Sequence, residues 1–379
     1  MRPRVLIFIF TISLFGTFLI LKIFFTRSND LSTFALGNET VTYWSKDTND
    51  NLIHISAIDS IANNTIINSW SQAGQKDILL ILGNSQTHSI NQKKINEVTY
   101  VEMLNKHIDL YYVIANSYPN ASLQDFFISY MYWKKILPVK VVIIPLFLDD
   151  MREINGIPYD FYPKIVDDNF SFIQNNNYLL KKLNNSLSTI RDKKIRFEYS
   201  SNNENISTQD KVEKNLNSLL ENNCIVWNNR NNAQGILFGK LYELRNTIFN
   251  IKANTVRRML PEKYADNMTA LELLIKDAKK NGIKLFLYVP PIRNDVIIPY
   301  NPNEYNIFKS QLQIIKNMYP NTVYLKDYDN IIPGKYFGLK ASTNFGKEKK
   351  ELDFMHFQFI GHKILFDSLS IYLFNNGIR

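Results

Sequence analysis

Short apolar runs that alternate with segments of helical period constrain this chain more than any other feature of it. Residues 77–82 read Asp-Ile-Leu-Leu-Ile-Leu and end at Gly83, the pattern of a strand buried on both faces. Similar runs occupy residues 110–115, 139–147, 283–289 and 322–325, most of them rich in β-branched or aromatic side chains. Helical period appears over residues 122–136 behind Ser122 as an N-cap, over 261–281 with Gly282 at the stop, and over 303–317 before Pro320; a terminal helix is expected at 361–374. Alternation of this kind predicts an α/β fold with a five-stranded, mostly parallel sheet covered on both faces. Residues 151–260 break the rhythm. They are rich in Asn and Lys, with weaker helical stretches at 178–191, 211–221 and 236–252, and read as a mostly helical insertion; a separate domain is the alternative.

The N-terminus carries the second constraint. Residues 5–25 form an apolar run of 21 residues interrupted by Lys22, long enough to cross a hydrocarbon layer of roughly 30 Å. No small-x-small cleavage site closes the run, which favours an uncleaved signal anchor over residues 1–27 rather than a removed signal peptide. Arg2 and Arg4 before the span, against Lys22 and Arg27 near its end, bias the N-terminus toward the cytoplasm. Residues 28–76 then serve as a linker and extension, and 77–379 form the main domain, outside the membrane and out of reach of nucleic acid. The net charge of +9 accordingly meets anionic envelope polymers or lipids. One cysteine and five histidines without metal-ligand spacing argue for no metal and no cofactor.

In a parallel sheet the ligand site lies beyond the carboxyl ends of the strands, at the point where strand order reverses. The block Gly83-Asn84-Ser85-Gln86-Thr87-His88 directly follows the first predicted strand, placing Ser85 at or near a helix start. A second block, Asp353-Phe354-Met355-His356, stands before Gly361-His362 and the last helix. A serine hydroxyl needs a base to take its proton, and the base needs a carboxylate to orient its ring. Asp353 and His356, three residues apart, supply both from what the sequence suggests is one loop. Taken alone, each block is as readily an N-cap or a surface pair; their combination in a strand–helix frame carries the reading.

These two blocks, with the Gly361-His362 that follows, resemble the SGNH (GDSL-like) hydrolase superfamily over residues 77–147 and 283–374. The resemblance implies a flavodoxin-like three-layer order of elements, Ser85 as nucleophile, His356 as general base and Asp353 as its orienter. It leaves His362 as a helix residue and His88 as a candidate for substrate contact or packing. Asn84 replaces the Asp that the family usually has before the nucleophile. For the oxyanion hole the candidates are the backbone N–H of Ser85 and the side chains of Asn120 and Asn116. Asp149 stands where the family often has an Asn donor and is expected to be paired with Arg152, itself a candidate substrate contact.

Anchor, outward-facing domain and long insertion are together similar to envelope O-acyltransferase proteins. The expectation is a membrane-anchored serine esterase or O-acyltransferase acting on a cell-envelope glycan or acylated polymer, with other envelope-modification proteins as possible partners. A catalytically inactive binding or assembly component is the alternative, and a lipase acting on the bilayer a third.

Overall fold

The computed structural model describes residues 39–152, 162–172, 177–202 (side chains to 192), short helical turns within 212–251, and residues 255–340 and 350–379. Residues 5–25 lie outside this set, and among the described residues no helix is long and apolar enough to cross a membrane. Two compact units are present. The larger comprises the described residues within 39–195, 253–339 and 352–379; the other takes in those within 196–252 and 340–351.

In chain order the elements are strands β1 (Thr40–Thr42) and β2 (His54–Ile55), helix α1 (Ser60–Gln72), β3 (Asp77–Gly83), the single turn α2 (Ser85–His88), β4 (Ser89–Asn91), α3 (Tyr100–His107), β5 (Tyr111–Ser117), α4 (Leu123–Ile136) and β6 (Val139–Pro145). There follow α5 (Pro163–Asp167), α6 (Tyr178–Asn202), α7 (Pro261–Lys280), β7 (Lys284–Val289), α8 (Pro302–Met318), β8 (Val323–Asp327), β9 (Phe337–Lys340), β10 (Glu351–Phe357) and α9 (Phe359–Asn375).

The central sheet has six strands in the order β2-β5-β3-β6-β7-β8, all parallel, rather than the expected five. The sixth strand, β2, is two residues of the N-terminal extension laid along β5, with His54 opposite Ala115 and Ile55 opposite Asn116. Two residues are too few to show an alternating or continuous apolar pattern, so that strand left no trace in the sequence. The other five strands are those expected, and among themselves they run in the flavodoxin-like order, reversing at β3.

Strand β3 is covered on both faces, every residue from Ile78 to Gly83 being buried. Helix α3 packs with α9, and α4 packs with α7. Helix α4 starts with a capping box, Ser122 accepting from Asp125 N while the Asp125 carboxylate accepts from Ser122 N. Helix α8 starts at Asn301, whose side chain accepts from Asn303 N and Glu304 N.

Gly83 is required for closeness rather than for a special backbone angle. A Cβ at this position would overlap the Thr87 hydroxyl, so the turn after β3 can fold back tightly only over a hydrogen atom. Gly83→Ala is therefore expected to destabilise the fold by about 1–3 kcal/mol, as overpacking does, read as a lower urea midpoint.

Candidate active site

The carboxyl ends of β3, β5, β6 and β7 open onto one end of the sheet, and the site is assembled there. Ser85 is the first residue of α2. Its predecessor Asn84 is the N-cap, with Oδ1 accepting from Gln86 N at 3.0 Å. The Nδ2 of Asn84 donates to both oxygens of Asp150, at 3.0 and 3.3 Å. An amide accepts and donates at once, which a carboxylate cannot do, so Asn84 is matched to the buried acid across from it.

His356 Nε2 lies 2.9 Å from Ser85 Oγ, and His356 Nδ1 lies 2.8 Å from Asp353 Oδ2. An ionised carboxylate can only accept, so Nδ1 carries the proton, and Nε2 is left as the acceptor of the Ser85 hydroxyl. The other carboxylate oxygen of Asp353 accepts from the backbone N–H groups of Met355 and His356, at 2.9 and 3.1 Å. Asp353 is 3% exposed. Burial works against its charge, but the charge on His356, the His356 hydrogen bond and the two backbone donors outweigh it and hold the carboxyl at about 2.

Asp353 and His356 lie not on a loop but on β10, a strand that pairs with β9 in a separate two-stranded sheet. That strand is fastened over the site by groups invisible to a motif search. Gln86 Nε2 donates to Met355 O at 2.7 Å and to Pro291 O at 2.9 Å, and Arg293 N donates to Phe354 O at 2.9 Å. Gln86 thus couples the residue after Ser85 to the residue before His356. Its position inside the same block as Ser85 was the one available signal.

The remaining candidates divide. Asn116 is part of the core: Nδ2 donates to Ile55 O at 3.2 Å, while Oδ1 accepts from Tyr118 Oη at 2.9 Å and Trp133 Nε1 at 3.2 Å. Those bonds hold its side chain at the sheet edge instead of offering it to a ligand. Asn120 is exposed and stands in the left-handed region at φ 54°. Asp149 is buried and paired, with Arg152 Nη1 at 3.4 Å, with Arg257 Nη1 and with the Tyr300 hydroxyl at 3.4 Å. Arg257, which also lies 4.8 Å over the Phe354 ring, comes from the far end of the insertion and could not be paired with Asp149 from sequence. Arg152 is further tied to Arg258 O at 2.8 Å.

His362 is fully buried in α9, where Nε2–H donates to Ser89 O at 3.0 Å and Nδ1 accepts from Tyr100 N at 3.4 Å; burial first, then the charge of His356, pushes it down to about 3 despite the Ser89 bond. His88 is buried beside Ser117, with Nδ1 at 2.7 Å from the Ser117 hydroxyl. Among the described residues no group of three or more His, Cys, Asp or Glu side chains is placed to hold a metal ion.

No protein-family model and no curated protein sequence matches the chain. Among solved structures, one from Bacteroides fragilis, described as a "putative acylhydrolase", is similar at 12% identity and a TM-score of 0.34, covering 83% of this chain and 97% of its own. At that similarity, what the chain does has to be read from its own residues.

The depressed carboxyl of Asp353 makes a prediction about stability. Its ordinary value in an unfolded chain is about 3.9, so the ionised group contributes stability that is complete above that pH. The contribution is lost as pH falls toward about 2. Urea unfolding between pH 5 and pH 2 should show the wild type losing about 2 kcal/mol more than Asp353→Asn over that window. Parallel pH profiles for the two proteins would contradict the assignment of that charge.

Proposed function

We propose that the chain is a membrane-anchored serine esterase or O-acyltransferase of the SGNH kind, acting on acyl esters of a cell-envelope glycan or related polymer. The observation that supports it above all is the continuous chain from Asp353 through His356 to Ser85, at 2.8 and 2.9 Å, standing at the carboxyl end of the strand at which the sheet order reverses. Ser85 Oγ attacks the acyl carbonyl carbon while His356 Nε2 takes its proton. The imidazolium so formed is stabilised by Asp353, and it returns the proton to the departing alkoxide. An acyl-serine remains. Water or a sugar hydroxyl, deprotonated in turn by His356, then attacks it and releases Ser85.

The envelope setting is proposed from the apolar run at residues 5–25 and from the net charge of +9, which suits an anionic polymer. The non-catalytic alternative draws on the oxyanion side, where Asn116 and Asp149 are both engaged with protein groups.

Two measurements test the proposal. Ser85→Ala and His356→Ala should each lower turnover of 4-nitrophenyl acetate by about 10⁴- to 10⁶-fold, and Asp353→Asn by less, because the three act as a unit; a fluorophosphonate should label the wild type at Ser85. Near-normal turnover in Ser85→Ala would exclude the mechanism. For the location, the intact protein should stay with membranes through a carbonate wash, and protease added to spheroplasts should digest the main domain. Recovery in the cytosolic soluble fraction would exclude the envelope setting.

A further inference from the structure

Beside the triad lies a second histidine chain that the mechanism above does not use. His88 Nδ1 is 2.7 Å from Ser117 Oγ, and the same oxygen is 2.7 Å from His54 Nε2. All three residues are buried, and Trp44 packs against both rings, with centroids 5.2 Å from His54 and 5.1 Å from His88. Burial holds both imidazoles neutral at ordinary pH. His54 lies well below its usual value, and His88 is pushed down to about 3 by burial first and then by the charge of His356.

The geometry decides which way the protons run. Ser117 has one hydroxyl proton, so it donates to one ring and accepts from the other. If it donated to His54, the sealed Nδ1 of His54 would carry a hydrogen with no acceptor. That nitrogen has no partner in the structure. An orphaned buried N–H is rarer and more costly than an orphaned lone pair. The chain therefore runs from His54 Nε2–H to Ser117 Oγ–H to His88 Nδ1, and His88 carries its own proton on Nε2. That Nε2 has no hydrogen-bond partner among the described residues and, unlike His54 Nδ1, is not among the atoms sealed from solvent.

His88 is three residues from Ser85 on α2, which sets their Cβ atoms about 5–6 Å apart on one side of the turn. Ser117 ends β5 directly opposite Gly83, so the ring it holds lies over the same end of the sheet. The side chain of Asn116, one of the donor candidates, is committed elsewhere, and so is that of Asp149, which was expected to be paired.

We propose that His88 is an oxyanion donor. Its Nε2–H, held in one tautomer by Ser117 and His54, hydrogen-bonds the acyl carbonyl oxygen and strengthens that bond as negative charge develops there. A neutral imidazole serves as such a donor without having to lose a proton. When His356 takes the Ser85 proton, its charge is one of the two causes that oppose protonation of His88. Ser117 and His54 are positioning residues, acting through His88. The proposal rests on the triad mechanism above.

The test uses the full chain with ¹⁵N-labelled histidine and 4-nitrophenyl acetate as substrate. The His88 resonance, assigned from its loss in His88→Gln, should show the Nε2–H tautomer; the Nδ1–H tautomer would overturn the proposal. His88→Leu should lower kcat by about 10²-fold, the typical effect of deleting one oxyanion donor, with KM nearly unchanged. His88→Gln, which returns an N–H near the same point, should recover at least a tenth of the wild-type kcat. Ser117→Ala, which frees the tautomer, should fall between them. A His88→Leu kcat within threefold of wild type, a loss confined to KM, or a Gln variant no better than Leu would each overturn the proposal. A wild type that neither turns over the ester nor reacts with fluorophosphonate at Ser85 would overturn the triad reading along with it, whereas an active, labelled wild type with an unaffected His88→Leu would overturn this one alone.

Discussion

A carboxylate removed from water at Asp353 must be surrounded by donors, and the rest of the site follows from that requirement. The two backbone N–H groups that satisfy one oxygen fix the path of the chain from Asp353 to His356. The imidazole N–H that satisfies the other fixes the tautomer of His356 and leaves its far nitrogen to accept from Ser85. Removing any of these donors would leave the charge uncompensated, a larger loss than the bond itself is worth. Strand β10 is in turn held in place from outside itself, by Gln86 on Met355 O and by the backbone of Arg293 on Phe354 O. Gln86, the residue after Ser85, thus sets the height of His356 above it.

A parallel sheet makes this economy possible. Because all strands end on the same side, polar groups from distant parts of the chain meet at one edge of an apolar core and satisfy one another there. Asn84 after β3 answers Asp150 after β6. Asp149 is answered by Arg257, more than a hundred residues along the chain. His88 and His54 share the hydroxyl of Ser117 at the end of β5. Each pairing takes a group that would be expensive to bury alone and gives it a partner from another strand.

The parts legible in the sequence were those set by local pattern. Continuous apolar runs located five strands of the sheet, since burial on both faces demands apolar residues at every position. A serine behind a strand and an Asp three residues before a His were visible as short-range spacings. Asn116 was misread as a donor because an Asn after a strand looks the same whether it faces a ligand or, as here, binds Ile55, Tyr118 and Trp133. The block from Asp353 to His356 looked like a loop, because its pairing with β9 spans an interval that local pattern does not bridge.

By itself, then, the sequence determined the five longer strands of the central sheet, four of its helices, the order in which they occur and the residue types at the ends of those strands, because hydrophobic period and turn chemistry act over a few residues. Only the tertiary structure decided which polar groups meet. Whether Gln86 reaches Met355, whether Asp149 is neutralised, and which nitrogen of His88 keeps its proton depend on contacts between segments separated by tens to hundreds of residues. Hydrogen bonds fade within an ångström of their best length, so such contacts are settled by how the core packs and not by the letters on either side of them.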